Sequence, residues 1–317
     1  MNKEKGRQDF AALFNKWGIY IILLLMMVLS AIASPNFLTV SNILSVLRQS
    51  TPTILLAFGA MFLMISGNMD LSVGAGLAFS GIAALEVYTK SGNLMLGVAF
   101  GIFCGIVIGV VNGVITAYLG VPSFIVTLAM DMIIRGLIMI YTNGQAITRT
   151  DNFAEIGQGY VGPIPIPIII VAVTAVVAWF ILRNTTMGRK FYAIGGNAEA
   201  AKAACINVKR VIVQSYIVSG VLTAMAGIIL ISRLNSGAPN AGDGYALDAI
   251  ASTVIGGSSL AGGVGTATGT LVGAVIMGLI SNILNLVGVQ SYVQKVVKGL
   301  IILAAVILDV QSKKKKS

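Results

Sequence analysis

Apolar residues run through this chain in blocks long enough to cross a lipid bilayer, and polar residues gather in the gaps between them. About 20 apolar residues of helix span roughly 30 Å of hydrocarbon. On that measure the blocks predict spans at 17–34, 51–66, 71–88, 94–117, 123–142, 163–182, 211–232, 245–258, 265–286 and 294–309. Two of these, 51–66 and 245–258, are short for a crossing, and each runs into glycine-rich polar sequence: GNMDLSVGAG (67–76) and GGSSLAGGVG (256–265). Interrupted helices in corresponding positions of two halves point to a transport path. A faint echo between GVPSFI (120–125) and GVQSYV (288–293) fits halves of opposite topology. The expected architecture is an all-α, polytopic membrane protein of about ten transmembrane helices, with two inverted-repeat-like halves and interrupted helices.

One gap is not a simple connection. The stretch GRKFYAIGGNAEAAKAACIN (188–207) holds Arg189, Lys190, Lys202 and Glu199 between two spanning blocks. Connections in helical proteins need only about 2–8 residues. NAEAAKAA is rich in strong helix formers, Asn197 is placed to cap the first turn, and Glu199 near the helix start suits its dipole. The insert therefore reads as a short helix held at the membrane face, against the plainer reading of a solvated connector.

Composition agrees with the span pattern. The 317 residues are 56% hydrophobic and 10% charged, where soluble domains carry about 25% charged residues. The 37 glycines suit helices that approach closely in lipid. The net charge of +10 does not describe a nucleic-acid-binding face, because fourteen of the 21 Lys and Arg fall in three clusters. These are Lys3, Lys5, Arg7 and Lys16; Arg183, Arg189, Lys190, Lys202, Lys209 and Arg210; and the four lysines at 313–316. The positive-inside rule places all three clusters in the cytoplasm. This divides the chain into a cytoplasmic segment at 1–16, one transmembrane domain at 17–309 with a cytoplasmic loop at 183–210, and a basic cytoplasmic tail at 310–317. Residues 1–34 imitate a signal peptide, but the run from Trp17 to Ser34 is expected to stay as the first span.

Candidate chemistry is sparse. Histidine is absent, which removes the usual general base and metal ligand, and no phosphate-binding G-x-x-x-x-G-K-[ST] loop occurs. Neither a metal, a disulfide nor any other cofactor is expected. Gly97, Gly101, Gly105, Gly109 and Gly113 recur every four residues and predict a groove for a neighbouring backbone. Asn112, beside that stripe, needs a partner in hydrocarbon, either on a neighbouring helix or in a polar passage. Asp70, next to Asn68 and Ser72, caps the following helix or lines the passage, and Ser258 and Ser259 stand in the second glycine-rich break. Asp131 and Arg135 lie one helical turn apart and read first as a self-neutralising pair.

GNMDLSVG, the run PSFIVTLAMDMIIRG, YTNGQ, MGRKFYAIGGN and DAIASTVIGGSSLAGGVGTATGT, in this order along nearly the whole chain, resemble the membrane permeases of ribose-type ABC sugar importers. The resemblance implies a permease that works with a second copy or paralogue, a separate ATP-binding-cassette subunit and an extracytoplasmic sugar-binding protein, within membrane lipid and without nucleic acid. It implies that Glu199, Ala200 and Ala201 lie in the coupling loop that meets the ATPase, together with Arg189, Tyr192, Gly195 and Asn197. The sequence departs from the family at Cys205, where that loop usually has glycine, and at Asp131, where an apolar residue is usual. The expected function is import of a monosaccharide, ribose or another pentose, across a bacterial inner membrane, with no catalysis by this chain. The alternative is an ion-coupled secondary transporter relaying through Asp131, Arg135 and Asp70. An intramembrane enzyme is a distant third, since no acid pair or nucleophile is assembled.

Overall fold

The computed structural model describes residues 18–32, 34–148 and 151–314. The basic cluster of the 1–16 segment, Arg149, and Lys315 and Lys316 of the tail lie outside the described residues. In chain order the helices are α1 (Gly18–Ile32), α2 (Val40–Ile65), α3 (Val73–Ser91), α4 (Leu94–Leu119), α5 (Ser123–Thr142), the short α6 (Glu155–Gln158) and α7 (Ile166–Asn184). There follow α8 (Thr186–Gly196), α9 (Ala198–Ala203), α10 (Val208–Leu234), α11 (Tyr245–Ile255), α12 (Ala267–Leu286) and α13 (Ser291–Lys314).

Each expected span falls on a helix, but among the described residues six are long and apolar enough to cross a membrane: α2, α4, α5, α7, α10 and α12. The 51–66 block is not a short helix. It is the buried part of the 26-residue α2, whose polar first half, VSNILSVLRQ, hides the start from a hydropathy reading. Thr39 caps this helix by accepting from the Asn42 N–H. Pro52 sits inside it, and the neighbouring Thr51 hydroxyl donates to the Leu47 carbonyl one turn back. The 245–258 block, by contrast, forms only the 11-residue α11. The all-α expectation also misses two paired strands of two residues each, β1 (Tyr160–Val161) and β2 (Ile164–Pro165), and a bridge between Ile147 and Gly237.

The helices are arranged inside out relative to a water-soluble fold. The α4 and α7 segments are the most apolar yet only about a quarter buried, as is α5, whereas α2, the least apolar, and α10 are mostly buried. Large exposed side chains such as Leu96, Phe103, Met132, Ile140 and Val176 cover the outer helices. An apolar exterior of that extent is the signature of a lipid-facing surface.

Close packing follows the glycines. A Cβ on Gly97 or Gly101 would strike the Ala84 or Ser80 carbonyl of α3, and one on Gly105 or Gly109 would strike the Gly220 or Tyr216 carbonyl of α10. The stripe therefore fits two neighbours in succession, α3 along its first turns and α10 along its last. Further, α10 packs most extensively on α4, and α12 on α2; α3 rests on α4 and α10, as α11 rests on α12 and α2. The α5 helix leans on α3 as α13 leans on α11. Gly120 and Gly288, the glycines of the sequence echo, have φ of 71° and 76° and stand where α4 gives way to α5 and α12 to α13.

Candidate functional site

The insert forms two helices, not one, meeting at Asn197. Thr185 caps α8 by accepting from the Gly188 N–H at 3.2 Å, and Asn197 caps α9 by accepting from the Ala200 N–H at 3.0 Å. At the far end of α9 the Cys205 N–H donates to Lys202 and the Ile206 N–H to Ala201, each at 3.0 Å. This pattern is a Schellman ending, which requires a left-handed residue. Cys205 takes that role with a φ of 60°, so the replacement of glycine noted in the sequence keeps the helix ending and adds side-chain strain.

The structure divides the seven candidate coupling residues into two groups. Tyr192, Gly195 and Ala201 face the bundle. The Tyr192 hydroxyl donates to the Gly265 carbonyl at 2.6 Å, and burial raises its pKa, so the phenol keeps the proton that it donates. Gly195 lies against the Ile65 carbonyl at the end of α2 and against Gly262 and Gly263 in the connection before α12. The Gly263 N–H closes that junction by donating to the Ile65 carbonyl at 3.0 Å. Phe191, fully buried, meets Phe62 edge to face at 5.8 Å, and Ala201 is only 4% exposed. Arg189, Asn197, Glu199 and Ala200 are exposed. One face of α8–α9 is thus anchored in the core where α2 ends and α12 begins, and the other is free. Beside α9, a groove of about 410 Å³ runs between Glu199 and Lys202 on one wall and Thr116 and Val208 on the other.

The passage candidates separate as well. Asn112, fully buried on α4, donates to the Ser72 hydroxyl at 2.9 Å, and that hydroxyl donates to the Asp70 carboxylate at 2.6 Å. The same carboxylate oxygen accepts the Ser72 N–H at 2.8 Å. Asp70 thus braces Ser72, which stands at the N-cap of α3 and makes no side-chain cap bond of its own. Tyr216 of α10 completes the break between α2 and α3 by donating to the Met69 carbonyl at 2.9 Å. Asn68 donates to the Ser66 carbonyl at 3.1 Å. Ser258 and Ser259 are buried elsewhere, in the loop that carries Gly262, Gly263 and Gly265 to α8.

Arg135 bonds Asp131 at 2.7 Å, the same-helix pair expected from the sequence. Two further pairings escaped the sequence reading, the first being that of Arg135 with Asp243, in the connection between α10 and α11. Lys298 of α13 pairs with Asp248 of α11 at 2.8 Å beside a polar cavity between α2, α11, α12 and α13. The partners of these two pairings lie 50 or more positions apart, and only the hydroxyls and amides on α2 (Gln49, Ser50, Thr53) and α12 (Ser281, Asn282) hinted at the cavity.

Relatives match this chain end to end. It is 42% identical over 295 residues to a ribose import permease protein of Haemophilus influenzae, covering 92% of this chain and 91% of that one. A ribose import permease protein of Bacillus subtilis is 43% identical over 312 residues, covering 98% and 97%. An L-arabinose transport system permease protein of Escherichia coli K12 is 36% identical over 313 residues, covering 98% and 95%. No solved structure matches significantly. The anchored α8–α9 element, the lipid-facing exterior and these matches lead to one assignment: with residues 42–306 fitting its family model, the chain belongs to the family described as branched-chain amino acid transport system / permease component.

Proposed function

We propose that this chain is the membrane permease of an ATP-binding-cassette importer that carries a monosaccharide, ribose or another pentose, across the cytoplasmic membrane of a bacterium. The observation that carries the mechanism is the two-sided α8–α9 element. Ala201, Tyr192 and Gly195 tie it to the ends of α2 and α12, while Glu199 and Ala200 stand free. A separate ATP-hydrolysing subunit docks on the free face, and its motion passes through the anchored face into the helices. The other partners are an extracytoplasmic sugar-binding protein, which delivers the sugar, and a second permease copy or paralogue, in membrane lipid. This chain supplies no catalysis, cofactor or metal. The family description names amino acids, whereas the relatives' names specify pentoses and match nearly full length, so the sugar is preferred.

The same reading gives ten spans in two inverted halves, α2–α5 and α10–α13. Exchanging the halves converts the α10–α4 contact into α2–α12, and the α3–α5 contact into α11–α13. The left-handed glycines before α5 and α13 occupy matching places in the two halves. In this topology residues 17–309 form the transmembrane permease domain, and 1–16, 183–210 and 310–317 are cytoplasmic. Asn68, Asp70, Ser72, Asn112, Ser258 and Ser259 then lie toward the cytoplasmic end of the passage. The ion-coupled alternative gains little from the geometry, since Asp70 bonds Ser72 while Asp131 and Arg135 bond each other and Asp243.

Uptake of labelled ribose into proteoliposomes holding this chain, its ATPase and its binding protein tests the reading. Uptake is expected to need ATP and to ignore ion gradients; uptake by this chain alone on an ion gradient would overturn it. A Lys202→Cys variant is expected to resist membrane-impermeant thiol reagents in intact cells, and rapid labelling there would reverse the topology.

A further inference from the structure

We propose that the polar cavity between α2, α11, α12 and α13, at the end of the bundle opposite α8–α9, is a receiving site for a neutral polyhydroxylated sugar. The inference rests on the reading of this chain as a sugar permease and assigns a place on the permease where the sugar is held.

The cavity has a volume of about 240 Å³. That is below the roughly 300–1,000 Å³ of pockets for drug-sized ligands and suits a single small ring. Its end of the bundle follows from chain direction. The insert contacts the last residue of α2 and the connection leading into α12, whereas the cavity is lined by the first half of α2 and the second half of α12.

Its charges cancel. Lys298 pairs with Asp248 across two helices, with side chains only 23% and 20% exposed, and Arg233 and Asp243 add one charge of each sign. Charged groups at such a depth in a membrane protein are costly unless paired and mark a pathway by default. A balanced set does not select an ion. It offers hydroxyls both donors and acceptors, and hydrogen bonds to charged groups are the stronger kind. Gln49 and Thr53, one turn apart on α2, and Ser281 on α12 add neutral groups of the same kind, while Met277 and the Tyr245 ring give an apolar patch for the C–H face of a sugar. Where the walls meet, Gly278 approaches Ser50 so closely that a Cβ would strike the Ser50 hydroxyl, so α2 and α12 fix the shape of the cavity between them.

Ribose protection of a cysteine in the cavity tests this. The complete importer, with its ATPase and binding protein, is reconstituted with Gln49→Cys in a Cys205→Ser background and treated with a soluble thiol reagent. Gln49 is exposed, so the site is reachable; Tyr292→Cys, at an exposed position on α13 away from the cavity, serves as control. With ribose at about ten times its dissociation constant for the site, modification of Cys at 49 is expected to slow about tenfold by mass action and at 292 to stay unchanged. Equal rates with and without ribose, in an importer that takes up ribose normally, would overturn the proposal and leave the sugar reading intact. Failure to take up any pentose would instead overturn the sugar reading. If Gln49→Cys does not assemble, Ser281→Cys on the facing helix gives the same comparison.

Discussion

Gly195→Ala isolates the junction through which α8–α9 would act. The added methyl carbon would lie 2.7 Å from the Gly263 nitrogen and 2.9 Å from the Ile65 carbonyl carbon, and closer still to the Ile65 oxygen. All three are backbone atoms on two different elements, so no side chain can swing aside. Reaching the 3.4 Å of ordinary contact with Gly263 alone demands a shift of about 0.7 Å, and the Ile65 oxygen demands more. Overpacking of this kind costs about 1–3 kcal/mol. The displacement also strains two hydrogen bonds, Gly263 N–H to Ile65 at 3.0 Å and Tyr192 to Gly265 at 2.6 Å, each contributing about 0.5–1.5 kcal/mol. A loss of at least about 2 kcal/mol lowers the ratio of seated to unseated insert roughly thirtyfold. The assay is ATP hydrolysis stimulated by sugar-loaded binding protein in the reconstituted importer, beside ribose uptake. Both are expected to fall about tenfold or more while the permease still reaches the membrane, because the affected contacts lie at the end of the bundle. Gly196→Ala is the internal control, since a Cβ there meets nothing within 4 Å. Full coupling in Gly195→Ala, or equal damage from Gly196→Ala, would refute the reasoning.

Glu199→Lys with Ala200→Asp changes only exposed positions and is expected to leave membrane levels normal while weakening ATPase co-purification by about tenfold or more, the effect of recharging an interface anchor; wild-type co-purification and transport would reduce the insert to a connector. Gly105→Leu and Gly109→Leu place side chains against the α10 backbone and are expected to reduce the detergent-stable permease severely, and normal yield and transport in both would remove the stripe from the packing. Cys205→Gly relieves a left-handed non-glycine residue, a gain of about 1 kcal/mol. Slower amide exchange is therefore expected at Ile206, whose N–H completes the helix ending, and unchanged or faster exchange there would count against the strain.

How much of this was legible in advance depended on the range of the signal. The Asn197 cap and the helix-forming run after it involve neighbours three residues apart, and both were readable. The glycine stripe announced a groove because its period is local, but that the groove would serve α3 and then α10 is a property of three helices and was not in the spacing. The α2 helix was read at little more than half its length, since Ser41, Asn42, Arg48 and Gln49 lower the hydropathy of its first turns. The same averaging hides the cavity. Gln49 and Thr53 in the stretch RQSTPT, Ser281 beside Asn282, and Lys298 are small polar groups between apolar blocks, and a window about 20 residues wide sums them away. Only the crossing of α2 with α12, fixed by Gly278 against Ser50, brings them to face one another. In a membrane protein the polar minority within the spans therefore carries the site, and its placement depends on packing partners more than 200 residues away along the chain, as the paired amides of Asn42 and Asn282 do at 3.1 Å.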